Sequence, residues 1–299
     1  MPISRRGFLA GGAAAVTAYR LGPIWAEERS ARAGRCVLAE CETVFFGASA
    51  FAVAASSRNP EKCIMIERGL SPAAEFSGAL LPNALTEAVS DSAKDIRAAI
   101  EKENLAANGL YHTPPVSDIV SGFILRRRLN IFLNAEIASV RRVSGGYEVR
   151  VVGSDGFSAV RCRRIVDTMP CAWRQSGMDA VENRYLAAAL VGRVKRPLSD
   201  FPVQGGELHP GAFDGETYFR VRLPPDFGWT RARLKLHETF EAFSSLAGCP
   251  FKMGAEATEF GYTYRSPAIL KRIGENWDWL PGARYRDLMA ALNGGASWS

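Results

Sequence analysis

Six cysteines in this 299-residue chain form no Cys-x-x-Cys pair, which removes the usual signatures of a structural zinc site and of a thioredoxin-type redox centre. Three histidines, His112, His209 and His237, are scattered without short ligand spacing, so no metal site is expected. Apolar runs are short. None approaches the roughly 20 residues that a membrane-spanning helix needs, so no stable membrane span is expected. There is no internal repeat, no low-complexity segment, and no triad or carboxylate pair to announce hydrolytic chemistry. What remains is an ordinary globular composition, 47% hydrophobic and 23% charged. It is enough for one large domain or two intertwined ones.

The N-terminus carries the most specific pattern. Ser4-Arg5-Arg6-Gly7-Phe8-Leu9 opens a weakly apolar stretch rich in Ala and Gly. It resembles a twin-arginine signal peptide, with paired arginines ahead of an aromatic, a leucine and a mild hydrophobic core. Ala18, Ala26 and Ala33 each offer a cleavage point, with Ala26 favoured. Removing residues 1–26 takes away Arg5, Arg6 and Arg20 and no acid. The formal charge of +6 is therefore partly signal, and nucleic acid is not an expected partner. The resemblance implies a periplasmic or secreted protein exported already folded, a route often taken to carry a cofactor inserted in the cytoplasm.

Residues 42–69 read as a βαβ unit. Val44, Phe45 and Phe46 suit a short buried parallel strand. Gly47 breaks it, small side chains follow to Ser57, and Asn59-Pro60 ends the helix. Cys63-Ile64-Met65-Ile66 is the next strand and Glu67 closes it. Gly47 and Glu67 are 20 residues apart. That is the separation between the first glycine of a dinucleotide fingerprint and the acid that binds the ribose hydroxyls. Gly47 makes the turn, Ala52 allows close helix–strand contact, and Ser49 stands where a middle glycine would let backbone approach a diphosphate.

Residues 135–170 add a strand ending near Val140, two alternating strands joined at Ser154-Asp155-Gly156, and a buried strand Arg164-Ile165-Val166-Asp167. Together with the fingerprint and its acid, this resembles the β-meander and return strand of FAD-dependent oxidoreductases of the two-dinucleotide-binding-domain type. The resemblance covers roughly residues 36–170. It implies an α/β fold: a Rossmann-like FAD-binding region with β-meander over residues 36–180, a helical insertion at 81–134, and a second mixed α/β substrate or cap region at 181–299, partly intertwined with the first. It also implies FAD as cofactor, held by Gly47, Ser49, Ala52 and Glu67, with Arg68 beside the ribose or adenine. Gly78, in the thin glycine loop Glu75-Phe76-Ser77-Gly78, would approach the ring. The implied activity is oxidation of a small organic substrate through flavin, with a periplasmic electron acceptor or partner subunit.

Several positions depart from that pattern. The return strand ends Asp167-Thr168-Met169-Pro170, with proline in place of glycine. No late glycine–acid motif is found, since Gly205-Gly206-Glu207 and Asp214-Gly215 are poor substitutes. These departures favour an alternative, a non-catalytic accessory or assembly subunit on a flavoprotein scaffold. An NAD-dependent dehydrogenase would need a second fingerprint that the chain lacks. His112, in a proline-bounded loop, is the one acid/base candidate. Helices are expected near 91–104 and 230–247, strands near 185–194 and 217–223, and a loop-rich, aromatic stretch after Cys249. Cys41 and Cys63, near the starts of adjacent strands, suit either a disulfide or free thiols.

Overall fold

The computed structural model describes residues 37–81, 83–154, 156–173, 178–193, 197–246, 249–266 and 270–298. The twin-arginine segment, Cys36 and Asp155 of the expected hairpin turn lie outside the described residues. Val37–Phe46 forms β1. Val44, Phe45 and Phe46 are fully buried, as a strand covered on both faces requires. Cys63–Ile66, β2, lies parallel to it with Ile66 beside Phe46. Between them α1, Ala50–Ser56, is buried along its whole length. Its alanines, one turn apart, let it lie close on the sheet.

Two-residue strands Asn83–Ala84, Ala106–Ala107 and Leu110–Tyr111 (β3, β4, β5) form a small separate sheet. The same stretch contributes helices α2, Asp91–Lys102, and α3, Val116–Arg127. Ile96 and Ile100 of α2 and Val120, Phe123 and Ile124 of α3 join α1 in one apolar layer. β6, Asn130–Phe132, then pairs parallel with β2.

β7, Glu136–Val143, β8, Gly146–Gly153, and β9, Gly156–Asp167, make an antiparallel meander. The expected return strand at 164–167 is no separate element. Nothing between Cys162 and Arg164 breaks the chain, so β9 runs on for 12 residues. It pairs antiparallel with β8 from Gly156 to Cys162 and lies parallel to β1 from Ala159 to Asp167.

A second, antiparallel sheet follows: β10, Val181–Val191, β11, Gly206–Pro210, β12, Thr217–Leu223, β13, Lys252–Glu256, and β14, Gly261–Tyr264. Helix α4, Trp229–Ser244, covers it with Ala232, Leu236, Phe240 and Phe243, spaced three or four apart as a one-faced helix demands. The chain then returns to the first sheet. β15, Lys271–Gly274, pairs with β16, Trp277–Trp279, and β16 lies parallel to β9. Helix α5, Leu288–Ser297, joins α1 in the first core, with Leu288, Met289, Ala291 and Leu292 buried.

The loop-rich reading of the chain after Cys249 is thereby corrected. Strands of three to five residues are too short to display alternation. The last helix carries Gly294-Gly295 in its interior, a pair that weakens helices. Within the region assigned from sequence to 181–299, the stretch 271–297 belongs to the first sheet and its helical layer.

Those two glycines have a packing reason. A β-carbon on Gly294 would run into the Tyr285 hydroxyl, and one on Gly295 into the Phe51 carbonyl oxygen of α1. Backbone cannot retreat as a flexible side chain does. An exposed helical Gly→Ala change gains up to about 1 kcal/mol. Gly295→Ala is expected to do the reverse and lose about 1–3 kcal/mol through overpacking. Gly153→Ala, where no atom lies within 4 Å of the added carbon, is expected to stay near neutral. Urea denaturation of both variants measures the difference.

Candidate functional site: a cavity where the parallel strands end

β1, β9 and β16 finish side by side and are stitched together there. The Thr168 amide donates to the Phe46 carbonyl at 2.8 Å, and its hydroxyl lies 2.9 Å from the same oxygen and 3.1 Å from the Gly47 carbonyl. The Leu280 amide donates to Asp167 at 2.7 Å and that of Gly282 to Thr168 at 2.9 Å. Gly47 has φ +87°, and a β-carbon would press the Thr168 hydroxyl at 3.0 Å. Both facts demand glycine at the turn.

Above these ends lies a cavity of about 560 Å³, a size that suits a small-molecule site. Gly47, Ser49, Glu67 and Arg68 line one end. Arg184, Trp229, Phe260 and Tyr262, from the second sheet and its flanks, line the other. Four of the residues singled out from sequence are thus brought together. Ser49 caps α1, its hydroxyl accepting the Ala52 amide at 3.2 Å. Glu67 accepts the Ala48 amide at 2.7 Å and the Gly69 amide at 2.6 Å, so its carboxylate is fixed against the Gly47 turn.

Three other residues do not line the cavity. Ala52 is buried inside α1, where it serves the helix–strand contact. Gly78 is closely approached by protein: its carbonyl accepts the amides of Thr258 and Glu259, and a β-carbon would press Ala74 and Thr258 at 2.9 Å. His112 places Nδ1 at 2.7 Å from Glu216, with Phe213 across its ring. It stands apart from the cavity as a structural pair.

The structure adds residues that the sequence did not single out. Glu75 lines the cavity, and its Oε1 accepts the Ala50 amide at 2.8 Å. Burial, with Glu67 and Glu259 adding like charge, pushes its carboxyl up to about 7. The one signal was an acid heading the thin glycine loop Glu75-Phe76-Ser77-Gly78. Gly282, just beyond β16, lies so near Ser49 that any side chain there would overlap it. Asp167 is wholly buried and accepts the amides of Met169 at 3.1 Å and Trp173 at 2.6 Å. Burial pushes it, too, up to about 7.

At the far end, Arg184 donates to the carbonyls of Pro225 and Phe227, at 3.1 and 2.7 Å, and its guanidinium lies 3.6 Å over the Phe260 ring. Trp229 stacks on the same ring at 4.1 Å. Burial pushes the Tyr262 phenol up to about 12, so it stays protonated. This end offers flat apolar faces and phenolic hydrogen bonding but no paired nucleophile and base. The thiols are no better placed. Cys41, Cys63, Cys162 and Cys249 are free, Cys41 sits in register with Cys162 rather than Cys63, and burial pushes Cys63 up to about 11. Such thiols are inert.

No family model matches the sequence, and no curated protein does. Solved structures do match in fold. A flavoprotein/dehydrogenase from Cytophaga hutchinsonii aligns with a TM-score of 0.54 at 13% identity, covering 86% of this chain and 76% of that one. A geranylgeranyl bacteriochlorophyll reductase-like protein from Thermoplasma acidophilum aligns with a TM-score of 0.54 at 10% identity, with the same coverage. The anhydrotetracycline hydroxylase OxyS from Streptomyces rimosus aligns at 0.51 and 14% identity, over 80% of this chain and 55% of its own. The chain thus spans about three quarters of the first two and just over half of the third. A parallel core sheet carrying a meander, with an antiparallel sheet set against it, is the architecture of FAD-binding flavoproteins.

Proposed function

We propose that this chain is an FAD-dependent oxidoreductase acting on a small organic molecule, and that it holds the flavin as an exchangeable group. The observation that carries the reading is the single cavity joining the Gly47–Glu67 turn to the aromatic wall of the second sheet. Its two ends fit the two ends of the cofactor. Glu67, already fixed against the turn, presents a carboxylate for ribose hydroxyls, with Arg68 beside it. Trp229, Phe260 and Tyr262 present flat faces suited to a ring system. The middle fits less well, because Glu75 holds the Ala50 amide there; hence exchangeable rather than resident.

When bound, flavin supplies acceptance of a hydride or electron pair, which explains why no acid/base pair is needed in the wall. The chain's own residues orient and enclose. Asp167 fixes the loop 168–173 through two amides, and the Tyr264 hydroxyl donates to the Pro170 carbonyl at 2.8 Å. Export of the folded protein by the twin-arginine route, and a periplasmic acceptor or partner subunit, belong to the same proposal. Among the described residues no helix is long and apolar enough to cross a membrane.

One observation favours a second reading. Glu75 on Ala50 and Gly282 against Ser49 fill the approach to α1 with the chain's own atoms. An accessory subunit that keeps the fold without the cofactor would look so.

Titration of the purified full chain with FAD, followed by flavin fluorescence and visible spectrum, separates the two. Saturable binding with a perturbed spectrum supports the oxidoreductase; no binding at millimolar FAD, at pH 6 or pH 8, leaves the accessory reading. Under the first reading Glu67→Gln is expected to weaken FAD about 10- to 100-fold, the loss of a hydrogen bond to a charged group worth about 1.5–3 kcal/mol. An unchanged dissociation constant would remove the ribose from this end.

A further inference from the structure

Glu75 stands beside Ser49 in the wall of the cavity, and its position has a consequence for what the cavity admits. It is a half-buried side chain of the wall, bonded to the amide next to Ser49, and 3.2 Å from where a β-carbon on Gly282 would stand. The charged and titratable groups facing it are Glu67 from the end of β2, Glu259 from the loop before β14, and the Tyr264 phenol of β14. Two cations stand on the neighbouring segments: Arg68 acts on Glu259, and Arg284, two residues past Gly282, is held over the Phe51 and Tyr285 rings. A ligand that reaches from Glu67 to the aromatic wall passes this carboxylate. If its linking portion is a diphosphate, two further negative charges arrive in a low-dielectric space that already holds three carboxyl groups.

We propose that Glu75 is the specificity-determining residue of this cavity: it competes with the diphosphate of any dinucleotide for the Ala50 amide, so the cavity discriminates against ligands by the charge of their linker. This rests on the reading of the cavity as a nucleotide site. The competition is an exchange of one hydrogen-bond acceptor for another, with no covalent step.

The sign of the pH effect follows from geometry and charge together. A neutral Glu75 repels a diphosphate less and releases the amide more readily than an ionised one. Its carboxyl loses its proton near pH 7. Diphosphate ligands therefore bind more tightly at pH 6 than at pH 8. Adenosine, which has no phosphate, is indifferent to Glu75.

The test uses the full chain as wild type, Glu75→Gln and Glu75→Ala, with ADP-ribose, adenosine and FAD as probes in isothermal titration at pH 6 and pH 8; the linking diphosphate of ADP-ribose keeps the same charge at both. Thermal melts establish that each variant is folded, and Gln, which keeps an acceptor for the Ala50 amide, guards against a packing defect in the alanine variant. At pH 8 both variants are expected to bind ADP-ribose at least tenfold more tightly than wild type. Adenosine should stay within twofold, and the difference between pH 6 and pH 8 for ADP-ribose should vanish in the variants. ADP-ribose affinity equal in all three proteins, or a wild-type pH dependence that survives in Glu75→Gln, overturns the assignment. If the variants gain ADP-ribose but none binds FAD, Glu75 keeps its role and the flavin reading falls. If wild type binds FAD tightly at pH 8 and the variants match it, the flavin reading stands and Glu75 loses its role.

Discussion

Three parallel strands ending at one point, held by the amide and hydroxyl of a single threonine, are the constraint from which the site follows. Thr168 ties Phe46 and Gly47 on one side and receives Gly282 on the other. Parallel strands buried on both faces leave their carboxyl ends as the place where loops can diverge and a crevice can open. Here the loops after β1, β2, β9 and β16 all diverge at that edge, and the second sheet closes the crevice from above. The Thr168 tie works with the Gly47 amide on Ile66 and the Ala73 amide on Ala48, each at 2.8 Å, to hold the turn at φ +87° and to fix the Ala48 amide that Glu67 meets.

Charge then decides what such a crevice can hold. Glu67, Glu75 and Glu259 converge on its interior, while Arg184 is committed to two carbonyls and the Phe260 ring. Burying an ionised carboxylate without a cation is costly, and a group so placed tends to hold its proton. The elevated Glu75 and Asp167 carboxyls are both products of burial, yet they differ in kind. Asp167 is enclosed by its own loop and orders it through two amides. Glu75 faces open space on which a ligand can draw. Only the second is placed to alter binding.

How much of this was legible in the sequence divides along the range of the interactions. The βαβ unit, its turn and its acid were readable because strand, small-residue helix and proline stop are local patterns, and β12 at Thr217–Leu223 coincides with the alternation that announced it. Helix α4 was readable because its apolar face recurs every three or four residues. The closing strands and α5 were not, since three-residue strands have no period and glycines at 294 and 295 argue against a helix whose packing demands them. In the site, Gly47, Ser49, Glu67 and Arg68 were legible through one fingerprint and its spacing. Glu75, Arg184 and Gly282 come together only when chain segments far apart in sequence meet, and no spacing rule reaches that far.

The departures from the flavoprotein pattern, read in place, are not scars. Ser49, where a glycine was expected, caps α1 with its hydroxyl on the Ala52 amide, an interaction worth about 1 kcal/mol. Pro170 lends its carbonyl to Tyr264, and Met169 lends its own to the Trp279 indole at 2.9 Å. Each substitution replaces freedom to approach a ligand with a contact that holds the protein together. A turn stabilised by its own side chains needs no bound group to complete its core. Under the proposed reading, that independence is what permits a flavin to come and go.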